Sequence, residues 1–297
     1  MFKPDIEKAF DSVNWECLFK ILSGLEFLEK WKSWVKGSMC SSMISVLVNG
    51  EANGYFRASK GLRQGDPLSP GLFVLVMDVL SMMLKVVREA GKFKGFYMNE
   101  DSKNGEVTHL LFADDTVIFC DANHDQVLNI LATIVCFQSM TGLRINLDKS
   151  VMYIVGDVAD PSFYAAIFGC KWSRQPPKYL GFPLGAKLND PAIWDSMINK
   201  MKSKLNGWGS RHLSYGARLV LCTAVLGSMP TYMFSLFKAP VSVLQELERS
   251  QRRFLWNGGR DSNRRALVDW KLCKTEKSRG GLGIHDLKAF NDAMLSK

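Results

Sequence analysis

The sequence lacks several features that would define a class of protein at once. Its 297 residues contain no uninterrupted apolar run of about 18 residues, the length that indicates a transmembrane helix, and the opening MFKPDIEKAF carries no apolar signal segment. The seven Cys are scattered without a C-x-x-C pair, and the four His are isolated. We therefore expect no membrane span, no secretory signal, no disulfide framework and no Cys/His metal site, but an intracellular protein with reduced cysteines.

A globular composition and an uneven charge are present instead. The chain is 47% hydrophobic and 23% charged, which fits a protein that buries a sizeable core. Residues 1–149 carry 16 Lys and Arg against 18 Asp and Glu, a net −2, and residues 150–297 carry 22 against 11, a net +11. A basic half indicates a polyanionic partner such as nucleic acid, although a solvated basic surface produces the same count.

Hydrophobic periodicity and turn residues predict an α+β fold in the first half. Strands are predicted at 2–6, 45–50, 54–59, 107–120 (a hairpin) and 150–155, and helices at 12–36, 68–87 and 125–141. This order predicts an antiparallel sheet with helices on one face. The second helix has Ser69 as its predicted N-cap and Pro70 at its first position, and because it is apolar nearly all round we expect it to be buried.

The second half is predicted to be mostly helical. Asp190-Pro191 opens a helix, and further helices are expected near 214–228 and 241–256. The apolar face of the first of these helices comprises Trp194, Met197, Ile198, Met201 and Leu205. We therefore predict two domains, 1–185 and 186–297.

The stretch HLLFADDTVIFC at 109–120 places two adjacent carboxylates, Asp114 and Asp115, in an otherwise almost apolar run. Burying an unpaired carboxylate costs several kcal/mol, so either the pair lies on an exposed turn or a positive partner lies with it. Divalent cations are natural partners of oxygen ligands. With Asp5 on a neighbouring strand, three acids could hold two Mg²⁺ about 3.5–4 Å apart, as in phosphoryl transfer.

Five motifs occur in a fixed order along the chain: DIEKAFD, GLRQGDPLSPGLF, FADDT, GLRINLDKS and YLGFPLG. They resemble the palm motifs of reverse transcriptases. Their residues are similar to those of the non-LTR (LINE-type) retrotransposon enzymes, particularly of plants. RFLWNGG at 253–259 and GGLGIHDLKAFN at 280–291 are similar to the segment that follows the polymerase in those elements. The resemblance implies a palm over 1–185 and a helical thumb with a basic extension over 186–297. It also leads us to expect a palm and thumb portion, without the fingers region and endonuclease of such elements.

The resemblance implies a role for individual positions. Metal binding and catalysis would fall to Asp5, Asp114 and Asp115, with Lys149 beside the departing pyrophosphate. Phe10 matches the steric gate against a ribose 2′-OH, although a core aromatic is the simpler interpretation of the residue alone. Gln64 and Gly65 match the stretch that lines the incoming nucleotide, in what is also a turn before a helix. The implied nucleic-acid-binding residues are Tyr179, Gly181, Lys200, Lys204, Arg249, Arg252 and Arg253.

The implied function is that of an RNA-directed DNA polymerase, which joins a deoxynucleoside triphosphate to a DNA primer 3′-OH on an RNA template. Two Mg²⁺ would serve it, with Mn²⁺ as an alternative. The family implies a nuclear location. No membrane is expected, and the sequence leaves protein partners open. The second hypothesis is a catalytically inactive nucleic-acid-binding remnant. It is favoured by the expected lack of the fingers region and by the net +11 of residues 150–297. Pro4, which is disfavoured in a central strand where the family has an apolar residue, indicates relaxed constraint.

Overall fold

Two units make up the chain, residues 1–184 and residues 185–297. The computed structural model describes residues 1–41, 43–97, 105–185, 190–209, 213–258 and 266–296. Each unit is described by itself below, as the first unit and the second unit.

The first unit mixes short strands with longer helices. Its strands are β1 (Phe2–Lys3), β2 (Ile6–Glu7), β3 (Met43–Val48), β4 (Glu51–Arg57), β5 (Phe96–Tyr97), β6 (Glu106–Val107), β7 (His109–Phe112), β8 (Asp115–Ile118), β9 (Arg144–Ile145), β10 (Val151–Tyr153), β11 (Lys171–Ser173), β12 (Lys178–Tyr179) and β13 (Phe182–Pro183). Its helices are α1 (Ala9–Ser12), α2 (Trp15–Gly24), α3 (Glu29–Cys40), α4 (Ser69–Glu89), α5 (His124–Thr141) and α6 (Pro161–Phe168).

A five-stranded sheet in the order β11-β10-β1-β8-β7 organises the first unit. Its pairs are antiparallel except for β10 and β11, which run parallel because α6 crosses over between them. Phe2, Ile118 and Met152 of this sheet are buried in one cluster with side chains of α2, α4, α5 and α6. The predicted α+β fold with helices on one face of a largely antiparallel sheet is confirmed.

Three predicted element boundaries are wrong, each for a local backbone reason. The helix expected at 12–36 is two helices, α2 and α3, because the chain turns at Glu26 with a φ of 58°. The strand expected at 2–6 breaks at Pro4, which has no N–H for the ladder. The return strand expected at 54–59 already begins at Glu51, because Asn49 (φ 53°) and Gly50 (φ 88°) complete a two-residue hairpin turn.

The predictions for α4 need two corrections. Ser69 is the first helical residue and not the cap. The turn ahead of the helix is closed by Asp66, whose carboxylate accepts the Leu68 N–H at 2.8 Å. The helix is also not buried all round, since Val74, Met82 and Val86 are exposed. Its buried apolar residues are Leu72, Phe73, Val76, Met77, Leu80 and Leu84.

By length and composition, α4 is the one helix in the described residues that could cross a membrane. The core helix of a globular protein meets the same criterion. The apolar stripe of α4 joins the same core cluster as the sheet, so a core helix explains its composition.

The second unit is helical, as predicted. After a 3₁₀ turn (Pro191–Trp194) come α7 (Asp195–Gly209), α8 (Tyr215–Leu221) with a π-helical continuation (Cys222–Leu226), α9 (Thr231–Phe234), α10 (Val241–Asn257), α11 (Trp270–Cys273), a second 3₁₀ turn (Lys277–Arg279) and α12 (Leu287–Leu295). Asp190 opens the 3₁₀ turn Pro191–Trp194, where a helical start was expected, and its carboxylate accepts the Ala192 N–H at 2.9 Å. The predicted apolar face is buried at Trp194, Met197, Ile198 and Met201 and half-buried at Leu205.

Candidate active site

A cleft of about 510 Å³ opens at the carboxyl end of β1. Three carboxylates (Asp5, Asp114, Asp115) and three lysines (Lys3, Lys149, Lys178) are among its lining residues. The lining residues Lys3, Val151 and Tyr153 alternate along their strands with the buried Phe2 and Met152, so the cleft lies on the sheet face opposite the core. Acids and lysines far apart in the sequence therefore share one small polar space.

Asp5 is held in this cleft through its backbone by the turn at 146–150. The Asp5 N–H donates to Ser150 Oγ at 3.0 Å, and the Asp5 carbonyl accepts the Asn146 N–H at 2.7 Å. Ser150 Oγ donates onward to the Asn146 carbonyl at 2.7 Å. Lys149 belongs to the same turn, where its N–H donates to Asn146 Oδ1 at 3.2 Å. One turn thus fixes the backbone positions of both Asp5 and Lys149.

Ser150→Ala is expected to destabilise the first unit by about 1–2 kcal/mol, because Ser150 is fully buried and the Asp5 N–H would lose its acceptor. Urea denaturation followed by circular dichroism measures this. The matched control is Ser139→Ala, an exposed serine whose hydroxyl donates to the Val135 carbonyl within α5, for which we expect a change within about 0.5 kcal/mol. Equal effects of the two substitutions would contradict a special role for Ser150.

The two adjacent carboxylates have different surroundings. Asp114 lies exposed on the β7–β8 turn, next to Ala113 with a φ of 51°. Asp115 begins β8 and is partly buried, and its Oδ1 lies 2.8 Å from Lys3 Nζ. Its Oδ2 accepts the Leu180 N–H at 3.2 Å. Both explanations of the acidic pair therefore apply: one carboxylate is on an exposed turn, and the other has a positive partner.

The β12–β13 turn is joined to this carboxylate. Leu180 (φ 50°) and Gly181 (φ 86°) form the turn, and besides the Leu180 N–H bond, Lys3 Nζ donates to the Lys178 carbonyl. Burial raises the pKa of Tyr179, and the nearby negative charge of Asp115 adds to this increase. The segment YLGFPLG, which resembles the turn that holds the primer 3′ end (the primer grip) in the family, thus contacts Asp115 of the acidic pair.

The three residues predicted to bind the incoming nucleotide, Phe10, Gln64 and Gly65, do not line the cleft. Phe10 is half-buried and stacks on the core residue Phe73 with ring centroids 4.8 Å apart, which agrees with the simpler core interpretation and leaves the gate a prediction. Gln64 and Gly65 are exposed in the loop before α4. This loop is fastened beside the Asp5 segment, since the Leu62 N–H donates to the Phe10 carbonyl.

The predicted phosphate-binding residues of the second unit are exposed on two helices that contact each other. Lys200 and Lys204 lie one turn apart on α7, and Arg249, Arg252 and Arg253 share one face of α10. Lys204 lies over the Trp208 ring at 6.0 Å and Arg252 over the Trp270 ring at 5.4 Å. These pairs combine positive charge with an aromatic surface.

Lys3, Asn146 and Ser150 are site residues that the sequence analysis missed. Lys3 stands two residues before Asp5, and residues two apart in an extended strand point to the same face. This spacing was a signal for Lys3. Nothing in the local sequence indicates that Ser150 contacts the backbone of Asp5.

The cleft side chains meet part of what the divalent ions implied by the motifs require. Within the described ranges, no three His, Cys, Asp or Glu side chains are grouped as metal ligands. Asp5, Asp114 and Asp115 do line one cleft and offer only carboxylate oxygens, the ligand type that Mg²⁺ prefers. Asp115 already holds one cation, the Lys3 ammonium. The three aspartates therefore have the ligand type that such ions bind, and one of them, Asp115, forms an ion pair with Lys3.

Comparison with known proteins assigns the family. Residues 1–184 match the family described as "Reverse transcriptase (RNA-dependent DNA polymerase)". The match covers more than half of the chain, which therefore belongs to the reverse transcriptase family. Members of this family copy a nucleic-acid template from a primer and generally use divalent metal ions.

The relatives are proteins of mobile elements and plants. The chain is 33% identical over 146 residues to the Pol polyprotein of the retrotransposable element R2DM of Drosophila melanogaster, covering 49% of this chain and 13% of that protein. It is 22% identical over 262 residues to a 149 kDa protein of transposon TX1 of Xenopus laevis, covering 86% and 19%. It is 42% identical over 78 residues to an uncharacterized mitochondrial protein of Arabidopsis thaliana, covering 26% and 62%. These matches confirm the resemblance to non-LTR retrotransposon enzymes of the plant type.

The chain spans 13% to 62% of the length of these three relatives. Among solved structures, a telomerase of Candida tropicalis in complex with a fragment of telomeric RNA aligns with a TM-score of 0.43 and 13% identity, covering 84% of this chain and 37% of that chain.

Proposed function

We propose that this chain carries the catalytic palm of an RNA-directed DNA polymerase, which transfers a nucleotide from a deoxynucleoside triphosphate to a primer 3′-OH on an RNA template. One observation carries the proposal. Asp5, Asp114, Asp115 and Lys149 come from three separate motifs and line a single cleft in the first unit.

In this proposal, the three carboxylates hold two Mg²⁺, with Mn²⁺ as an alternative. When bound, such ions lower the pKa of an attacking hydroxyl and neutralise charge on the leaving pyrophosphate. Lys149, an exposed lysine at the rim, donates a proton to the pyrophosphate or balances its charge. The 146–150 turn positions both Lys149 and Asp5, so it sets the distance between them.

The remaining roles concern substrate and template. Phe10 excludes a ribose 2′-OH, and Gln64 and Gly65 line the incoming nucleotide. Tyr179 and Gly181 hold the primer end beside Asp115. Lys200, Lys204, Arg249, Arg252 and Arg253 bind phosphates in a thumb formed by the second unit. Copying RNA at a chromosomal target would place the protein in the nucleus.

Primer extension tests the proposal directly. The full chain is given an RNA template, an annealed DNA primer and deoxynucleotides, with Mg²⁺, with Mn²⁺ or with a chelator. We expect extension that requires the divalent ion and deoxynucleotides and that ribonucleotides do not support. Absence of extension with both ions, while salt-sensitive binding to the primer–template persists, would contradict the proposal and support the inactive binding remnant.

A further inference from the structure

Asp115 is the most heavily engaged of the cleft carboxylates among the contacts that the structure describes. Its Oδ1 lies 2.8 Å from Lys3 Nζ and its Oδ2 accepts the Leu180 N–H at 3.2 Å. Lys3 Nζ donates at the same time to the Lys178 carbonyl. Both oxygens of this carboxylate are therefore occupied by groups of the protein itself.

The sheet register explains why Lys3 reaches Asp115. Phe2 of β1 lies opposite Ile118 of β8 in an antiparallel pair. Lys3 is then opposite Val117 and diagonal to Asp115 on the same face, a separation that a long side chain spans. The Lys3 side chain is 26% exposed and the Asp115 side chain 28%, so solvent screens this pair only in part.

An ammonium group and a divalent cation compete for the same carboxylate oxygen. A ligand oxygen bound directly to Mg²⁺ must give that cation a lone pair, and the charge of a lysine 2.8 Å away repels the metal. The same side chain also ties Asp115 to the β12–β13 turn through the Lys178 carbonyl. Removal of the ammonium would therefore free both the carboxylate and one attachment of the turn.

We propose that Lys3 is a positioning residue that occupies the cation position of Asp115 in the metal-free protein and sets the affinity of the acidic site for divalent ions. Metal binding displaces the Lys3 ammonium and loosens the turn that carries Leu180, so metal loading and the position of the primer-grip turn are coupled. This proposal rests on the proposed function, because it concerns the metal ions of that reaction.

Mn²⁺ binding measured by electron paramagnetic resonance, without substrate or nucleic acid, tests the proposal. Lys3→Met keeps the length of the side chain and removes its charge, and Lys3→Arg keeps the charge. The matched control is Lys178→Met, which removes another cleft lysine that contributes only its backbone carbonyl to the contact with Lys3. Asp115→Asn reports on binding through the acidic site itself.

We expect Lys3→Met to bind Mn²⁺ about five- to tenfold more tightly than the wild type, the effect of removing one close competing charge. Lys178→Met should change the affinity by no more than about twofold because of charge screening, and Lys3→Arg should stay near the wild type. Equal or weaker binding by Lys3→Met, with binding by the wild type intact, would overturn the role of Lys3 and leave the proposed polymerase site standing. No binding by the wild type or by Lys3→Met would overturn both.

Hydrogen exchange at the β12–β13 turn is a second test, which does not depend on the affinity for Mn²⁺. The Leu180 amide should exchange more slowly in the metal-free wild type than in Lys3→Met, and Mg²⁺ should accelerate its exchange in the wild type. Unchanged exchange at Leu180 on addition of Mg²⁺, at concentrations that saturate the site, would refute the coupling between metal and turn.

Discussion

Asp115→Asn is expected to reduce Mg²⁺-dependent primer extension by a factor of about 10³ or more. Asparagine has nearly the same shape but no charge, and it replaces one carboxylate oxygen by an NH₂ group that cannot bind a cation. The fold should survive, because the remaining amide oxygen can still accept one of the bonds that Lys3 Nζ and the Leu180 N–H now donate. The loss would thus be one of chemistry, with binding of the primer–template preserved.

Asp121→Asn is the matched control for this experiment. Asp121 follows the far end of β8, is exposed, does not line the cleft and accepts a hydrogen bond from Gln126. Its conversion should leave primer extension within about twofold of the wild type, as expected for a surface substitution away from the site. If Asp115→Asn kept more than a tenth of the activity, the acidic pair would not be the metal-binding centre.

The salt dependence of primer–template affinity distinguishes the contribution of the acidic site from that of the second unit. The slope of log affinity against log salt counts the phosphate contacts, which we propose lie mainly on α7 and α10. Asp115→Asn should leave this slope unchanged, whereas Arg249→Gln combined with Arg253→Gln should reduce its magnitude by about 1–2. A lower slope in Asp115→Asn would show that the acidic site, and not the helices of the second unit, governs binding.

Local chemistry explains why several elements could be predicted from the sequence. Asn49-Gly50 specifies a hairpin turn through positive φ at both residues, and Gly142 ends α5 with a φ of 76°. Asp190 caps the helical start that it was predicted to open. In each case the residue that determines the structure lies within two or three positions of the element, so the information is local.

Most of the missed features depend on contacts that no local pattern contains. The break between α2 and α3 occurs at Glu26, a residue that does not favour a positive φ, within a stretch whose apolar spacing continues the helical pattern. The Leu180–Asp115 bond joins residues 65 positions apart, and the Asp5–Ser150 bond joins residues 145 apart. The resemblance to the family indicates which acids share a site, and the two-residue spacing places Lys3 on the same face as Asp5. The sheet register is needed to show that Lys3 reaches Asp115.

Gly61→Ala is expected to destabilise the first unit by about 2–4 kcal/mol. Gly61 has a φ of 89°, and a Cβ there would lie 2.6 Å from the Asp11 carbonyl oxygen and 2.9 Å from its carbon. These are backbone atoms, so no side-chain rotation relieves the overlap. The same glycine donates its N–H to the Val13 carbonyl at 2.8 Å and accepts the Trp15 Nε1–H at 2.7 Å.

Gly50→Ala separates the steric overlap from the cost of the positive φ. Gly50 has nearly the same φ, 88°, but no atom lies within 4 Å of an added Cβ. It should therefore cost only about 1 kcal/mol, from the backbone conformation alone. Urea denaturation of both variants beside the wild type measures the difference, and equal losses would show that the close approach of Gly61 to Asp11 is not needed for the fold.

The position of Gly61 also gives this substitution a functional consequence. The loop that carries Gln64 and Gly65 is attached to the segment after Asp5 through Gly61 and Leu62, so a methyl group at Gly61 must push the two segments apart. In the proposed polymerase, this displacement would move the nucleotide-lining residues away from Asp5 and leave the Asp114–Asp115 hairpin in place. Below the unfolding temperature we expect KM for the deoxynucleotide to rise about tenfold while the affinity for Mn²⁺ stays the same. A fall in Mn²⁺ affinity equal to the rise in KM would indicate that the whole palm is disturbed instead.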